Sequence, residues 1–298
     1  MSEQAHSVNR TTRGELLPAH TNPGEDISGL VTGDHARLQA TGRWSRFKDI
    51  PVHGDALVGK ADHVIRFYFE NVDGFRFSSH NDKYKKHKIN NKQRFLNHLF
   101  SRLEVDTFGG VEIHQQHDMI PLTQKISHQF DLRDDSKVQT SHNVHERFSA
   151  HQQGGTCIIA NELVSSYVTE QGADPEGLGR WSWIKLAGHQ NTTRVVVVYM
   201  PCQTRKQATH ATMAQHRRYW RLQGNRQCPR KLLQQDLVNE LTAWRQQGDK
   251  LVVLLDSNEN MNNGKLARML SHPDLGMIDA IHSRTGTPGP HTFVRGAR

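Results

Sequence analysis

Leu251-Val252-Val253-Leu254-Leu255-Asp256-Ser257-Asn258-Glu259-Asn260 is the stretch around which the remaining sequence is organised. An unbroken run of branched apolar residues reads as a central strand buried on both faces. The run then gives way to polar residues, with Ser257 and two asparagines favouring a turn. An Asp and an Asn two apart at the carboxyl end of such a strand are held rigidly and point into one crevice. There a carboxylate can hold a water or a metal, and an amide can donate to an oxyanion. The plainer reading is a strand-to-helix turn capped by Asp256, with Lys265 to Leu270 as the next helix. What lies upstream decides between them.

Upstream, other apolar runs end the same way. His63 to Val72 is a strand by β-branched and aromatic content, giving out at Asn71 before the turn pair Asp73-Gly74. Val105 to His114 is a short strand carrying Glu112 among apolar neighbours. An unpaired carboxylate there costs several kcal/mol, so Glu112 requires a cation or donors, the plainer candidate being one of the many Lys and Arg residues. Gly154-Gly155 opens a strand that runs to Ala160. Trp181 to Leu186 and Thr193 to Pro201 read as an antiparallel hairpin turning at Gly188 to Asn191, and the second arm ends on Tyr199. Helical spacing marks Phe95, Leu96, Leu99, Phe100 and Leu103 behind an Asn90 or Asn91 cap, and Leu233, Leu237, Leu241 and Trp244 before Gly248. Leu122 to Phe130 reads as a short helix and Asp131 to Gln153 as loop. Hairpin strands mixed with flanking helices predict an α/β sandwich of two sheets, not a doubly wound parallel sheet. No internal repeat is visible.

Length and composition set bounds. The 298 residues can bury a real core, while 35% hydrophobic content and a mean hydropathy of −0.71 mean a wet surface. Residues 1 to 60 are polar and aperiodic and read as a disordered leader, so the domain is expected over 61 to 298. No apolar run nears the roughly 18 residues of a membrane span, and Met1 to Arg13 lacks a secretory h-region. Cys157, Cys202 and Cys228 have no metal or redox spacing, and an odd count argues for a reducing intracellular compartment, the nucleus included. The 20 histidines include no HExxH and no CxxC partner, so no zinc site is assigned; His114, two past Glu112, reads as a surface residue, the alternative being that it points into the same cleft. The net charge of +8 is segregated: between Gly177 and Gln235 there is no acid but there are 11 basic residues, and Lys83, Lys85, Lys86, Lys88, Lys92 and Arg94 cluster after the first strand. Segregated positive charge is the footprint of a polyanion binder, or a solvated face that keeps the protein soluble.

The order Asn71, Glu112, Gly154-Gly155-Thr156, Tyr199-Met200-Pro201, Asp256-Ser257-Asn258 and Asp279 resembles the endonuclease/exonuclease/phosphatase family. That family includes DNase I, the apurinic endonucleases and the endonuclease domains of non-LTR retrotransposons. The resemblance covers residues 61 to 298 and implies a four-layer α/β sandwich of two mixed, mainly antiparallel sheets flanked by helices. It implies a metal-dependent hydrolase acting on nucleic acid, DNA ahead of RNA, as a monomer with no membrane partner. Glu112 and Asn71 would serve the metal, Mg²⁺ with Mn²⁺ as its substitute. Asp256 would activate the water, Asn258 and Tyr199 would contact the phosphate, and Asp279 would orient a catalytic His. The tract carrying Arg205, Lys206, Arg217, Arg218 and Arg221, with Tyr219-Trp220 among them, would hold the backbone by phosphate contacts and stacking. Two motifs depart from the family's: Ser257 and Leu255 replace the usual Phe and Gly around Asp256, and Val111 replaces the Gln before Glu112. The family's closing strand with its Ser-Asp-His-like motif does not follow His291-Thr292-Phe293. Low activity is therefore expected of residues 1 to 298 against a longer form. Two alternatives stay open: a phosphatase of this fold acting on a phosphorylated small molecule or lipid, and an inactive nucleic-acid-binding remnant.

Overall fold

The computed structural model describes residues 60, 64–75, 91–122, 125–130, 135–146, 149–203 and 209–286. The leader read at residues 1 to 60 lies outside these apart from Lys60, which pairs with Asp106 at 2.7 Å. Lys83 to Lys88, Arg205, Lys206 and everything beyond Gly286 also lie outside them.

Among the described residues, eight strands form two four-stranded sheets. The first holds β1 (Phe67–Asn71), β2 (Thr107–Val111), β3 (Lys137–Ser141) and β4 (Thr156–Ala160) in the order β1-β2-β4-β3. The second holds β5 (Val168–Ala173), β6 (Trp181–Ala187), β7 (Thr192–Tyr199) and β8 (Lys250–Asp256) in that order. In each sheet one pair is parallel, β1 with β2 and β7 with β8, and the remaining pairs are antiparallel. Helices α1 (Asn91–Arg102) and α2 (Ile126–Gln129) serve the first sheet. Short α3 (Glu162–Ser166) precedes β5, and α4 (Thr212–Leu222), α5 (Pro229–Gln246), α6 (Lys265–Leu270) and α7 (Ala280–Thr285) follow β7 and β8.

Strand alternation builds the layers. Val196, Val198 and Met200 pack with Leu233, Leu237, Leu241 and Trp244 of α5, while Val195, Val197 and Tyr199 face the opposite sheet. The β8 run divides likewise, Val253 and Leu255 toward the helices and Val252 and Leu254 between the sheets. On the outer side of the first sheet, Leu96 and Phe100 of α1 and Leu103 just after it close over Phe108 and Ile159. Helix, sheet, sheet and helix make a four-layer α/β sandwich, as the strand patterns predict. Each fully buried valine of β7 contributes about 1.5 kcal/mol or more relative to exposure.

Three readings need correction. Among the described residues β8 is an outer strand and its apolar run is only half-buried, so unbroken hydrophobicity here marks contact with two layers, not a central position. The span read as loop from Asp131 contains β3, whose alternating Lys137-Val138-Gln139-Thr140-Ser141 carries little apolar signal because it edges its sheet. Strand β5, with Glu and Gln at its centre, and helix α4 escaped the reading for the same reason.

The sheets approach closely at Gly109 of β2. A Cβ there would sit 2.7 Å from Val197 Cγ2 and 3.0 Å from Leu254 Cδ1, both on the facing sheet. Gly109→Ala is expected to cost about 1–3 kcal/mol by overpacking, read as a fall in melting temperature of about 2–4 °C per kcal/mol. An unchanged melting temperature would mean that the sheets can separate there at no cost.

Candidate active site

The alternation that fills the inter-sheet core also delivers its polar ends. Tyr199 and Asp256 are register partners across β7 and β8, and each continues the inter-sheet side of its strand. Asn71 does the same on β1 after Phe67 and Phe69. At this end Asn71 Nδ2 donates to Asp256 Oδ2 at 2.8 Å, joining the two sheets. Asn71 Oδ1 accepts from the Asp73 amide at 3.1 Å, which fixes the orientation of the Asn71 side chain.

Glu112 arrives by another route. Simple alternation would send it away from the face of Val111, but its φ is +54°, in the left-handed region. The carboxyl thereby meets the Tyr199 hydroxyl and the Asn71 amide. Among the described residues five non-glycine residues have positive φ, and Asp73, Glu112, His114 and Asn258 are four of them. Such conformations cost about 1–3 kcal/mol each and persist only where surrounding contacts over-determine them.

The electrostatics follow from crowding acids into a half-buried mouth. Burial raises the Glu112 carboxyl above its ordinary range and the charges of Asp256 and Asp73 add to that, while hydrogen bonds from Tyr199 and Asn71 oppose it. Burial likewise raises Asp256, opposed by the Asn71 hydrogen bond, the Asn258 backbone N–H and the Arg230 charge. The Tyr199 phenol is pushed well up by burial and by its bond to Glu112, so it stays a donor. Asp73, Glu112 and His114 each offer one ligand atom, all within 4.8 Å of one another. Hard oxygens with an imidazole beside them fit a divalent cation.

Arg230 holds the loops beneath this mouth. Its buried guanidinium donates through Nη1 to Pro201 O at 2.6 Å and through Nη2 to Ser257 O and Asn258 O at 3.2 and 3.3 Å. Glu259, 3.4 Å from Nη2, also accepts from Gln234 and from the Leu266 amide. Asn258 Nδ2 donates to Met200 O and its Oδ1 accepts from Cys202 Sγ, both at 2.8 Å. One amide hydrogen of Asn258 is left for an incoming oxygen.

The structure thus brings Asn71, Glu112, Tyr199 and Asp256 together, with Asn258 next to them. Asp279 is differently engaged: its carboxylate accepts from the Ile281 and His282 amides at 2.9 and 3.0 Å and caps α7. The basic tract is corrected more deeply. It lacks acids in sequence but not in space. Arg180 pairs with Asp174 and Asp236, Arg194 and Lys185 with Asp249, and Arg218 holds Glu146 through two bonds of 2.7 and 2.6 Å. Of the nucleic-acid candidates, Arg221 is exposed, Arg217 is half-buried on α4, and Arg218 is engaged. Tyr219 donates to Glu176 at 2.6 Å and packs on His145. Sequence reasoning missed Asp73 and Arg230, and ranked a surface position for His114 ahead of the cleft. The spacing Asn71-Val72-Asp73 mirrors Asp256-Ser257-Asn258 and carried a signal for the first. Nothing local marked Arg230.

No family model and no curated protein sequence matches the chain. Among solved structures it is similar to the human Nocturnin catalytic domain, with 11% identity over 67% of this chain and 68% of that one at a TM-score of 0.43. An AP endonuclease from Archaeoglobus fulgidus gives 12% identity, 72% and 67% coverage and a TM-score of 0.36. An endonuclease/exonuclease/phosphatase family protein from Leptotrichia buccalis gives 10%, 55% and 64%, and 0.31. The chain spans about two thirds of the length of these structures. No helix among the described residues is long and apolar enough to cross a membrane.

The crowded acids make a stability prediction. A carboxyl whose folded pKa is raised destabilises the fold once ionised, so the penalty is absent at low pH and grows as pH rises through the folded value. Asp256→Asn should therefore melt higher than the parent at pH 7.5 without divalent ions, by about 2–4 °C per kcal/mol recovered. Below about pH 3, where the carboxyl is protonated in both states, the difference should vanish. A lower melting temperature at pH 7.5 would mean that the Asn71 bond outweighs burial and repulsion.

Proposed function

We propose that this chain is a divalent-metal phosphodiesterase of the endonuclease/exonuclease/phosphatase kind, acting on nucleic acid. The observation that carries the proposal is the meeting of Asn71, Glu112, Tyr199 and Asp256 at one mouth, joined across the sheets by the 2.8 Å Asn71–Asp256 bond. Structural residues do not normally crowd two raised carboxyls at a solvent-facing rim.

Glu112 and Asp73 would hold the cation, positioned by Tyr199 and by the Asn71-to-Asp73 turn. When bound, the ion supplies charge neutralisation for a phosphoryl oxygen and a leaving oxyanion. Asp256, held by Asn71, is oriented to accept a proton from a water attacking phosphorus. Its raised pKa suits that role, because the base must take up the water's proton as the new P–O bond forms while the bond to the leaving oxygen breaks. The remaining N–H of Asn258 would donate to a non-bridging oxygen as its charge grows. Asp279 caps its helix through Oδ1 alone, which accepts both amides, so Oδ2 could still orient an imidazole.

One observation favours a second reading. Arg180, Lys185, Arg194, Arg218 and Arg230 are engaged by Asp174, Asp249, Glu146 and Glu259, which thins the surface for an extended polyanion and suits a smaller phosphorylated substrate. The test is a panel of supercoiled plasmid, abasic duplex, RNA and inositol phosphate with Mg²⁺ or EDTA. Plasmid nicking that needs the ion and falls by at least about 10²-fold in Glu112→Gln is expected. Its affinity should fall with salt at a slope of about −0.9 per phosphate contacted. Turnover confined to inositol phosphate would favour the second reading. Binding without turnover on any substrate would leave an inactive nucleic-acid-binding module.

A further inference from the structure

We infer that His114 is a direct nitrogen ligand of the cation, so that the centre takes a first-row transition ion in preference to Mg²⁺. The inference rests on the metal site proposed above and names the class of ion that site selects.

His114 is built into the mouth. Its φ is +55°, its side chain is 14% exposed, and its Nε2 lies 3.7 Å from Glu112 Oε2. Charge-assisted hydrogen bonds draw their atoms to about 2.7–2.9 Å, so this spacing is not that of a closed His–Glu pair. Two donors on one ion, each about 2.0–2.2 Å from it, stand about 3 to 4 Å apart depending on the angle between them. The observed separation falls in that interval, and Asp73 completes the set within 4.8 Å.

The surroundings fix which nitrogen faces the acids. Gly74 lies against the other edge of the ring: a Cβ there would stand 2.9 Å from His114 Nδ1. His151 packs edge-on against the imidazole at 5.4 Å between ring centres. The backbone is pinned from both directions, His114 N to Gly154 O at 3.0 Å and Gln152 N to His114 O at 3.2 Å. The Gly74 and Phe75 amides bond to Glu112 O and Ile113 O, so the strand carrying Asp73 is tied to the one carrying Glu112 and His114. The Nε2 edge is thus turned toward the carboxylates by contacts that need no ion.

The chemistry then separates the ions. Mg²⁺ prefers oxygen donors and keeps its waters, whereas imidazole suits first-row transition ions and strengthens their binding along the Irving–Williams order. A site of two carboxylates alone would bind Mg²⁺ and Mn²⁺ with little distinction. Adding His114 should widen the gap.

Pulsed EPR of Mn²⁺ bound to the full chain, with Mn²⁺ and Mg²⁺ affinities measured in parallel, tests this. Expected are a ¹⁴N coupling from a directly bound imidazole and Mn²⁺ affinity at least about 10-fold above that for Mg²⁺. In His114→Ala the coupling should vanish and the affinity ratio should shrink, while in His151→Ala the coupling should persist. Mn²⁺ bound without ¹⁴N coupling, or coupling lost only in His151→Ala, would overturn the inference yet leave metal-dependent hydrolysis standing. Failure of the parent to bind either ion, with Glu112→Gln unchanged from it, would overturn both. Should His114→Ala not fold, the parent and His114→Gln spectra decide the matter by presence or absence of the coupling.

Discussion

The Asn71 amide and the Asp256 carboxylate lie 185 residues apart and belong to different sheets, yet they are hydrogen-bonded at 2.8 Å. Much else in the mouth depends on that contact. It requires the two sheets to sit at a fixed spacing, which the inter-sheet packing of Val111, Ile158, Val195, Val197 and Leu254 sets. It also requires β1 and β8 to end at the same side of the sandwich, each together with the strand it is paired to in parallel, β1 with β2 and β8 with β7. Once it forms, Asn71 can present its other face to Glu112 and the Asp73 amide, so one amide organises three acidic residues.

The mouth is expensive. Raised carboxyls and four left-handed residues are tolerated because rigid elements absorb the cost elsewhere. Arg230 is the clearest compensation. It takes up the main-chain carbonyls of Pro201, Ser257 and Asn258, which a tight double turn would otherwise leave unbonded beside the core. A guanidinium suits this task because its donors are fixed in one plane, and its charge also tempers the repulsion felt by Asp256.

The sandwich was legible because strands with a layer on each face are written in valine, isoleucine and leucine with a sharp polar stop. Val195 to Tyr199 and Leu251 to Asp256 announce both the strands and where they end. Two of the edge strands, β3 and β5, were not legible. The residues of β3 and β5 face solvent on one side, so their side chains carry no periodic apolar mark. Asn71, Glu112, Tyr199 and Asp256 could be found as polar groups where apolar runs fail. His114 was ranked as a surface residue ahead of the cleft, because what turns it inward is a backbone twist and the neighbouring Gly74. The basic tract misled for a related reason: charge counted along a chain ignores acids delivered by folding, and Glu146, Asp174 and Asp249 all come from outside it.

The central claim is that the two sheets carry halves of one catalytic unit. A double-mutant cycle on turnover across Asn71→Ala and Asp256→Asn measures this most directly, with melting temperatures confirming that each variant is folded. If the pair acts as a unit, the double variant should lose about as much activity as the worse single variant, a coupling of at least about 1 kcal/mol. Losses that simply multiply would show that the two residues act independently and would contradict the account.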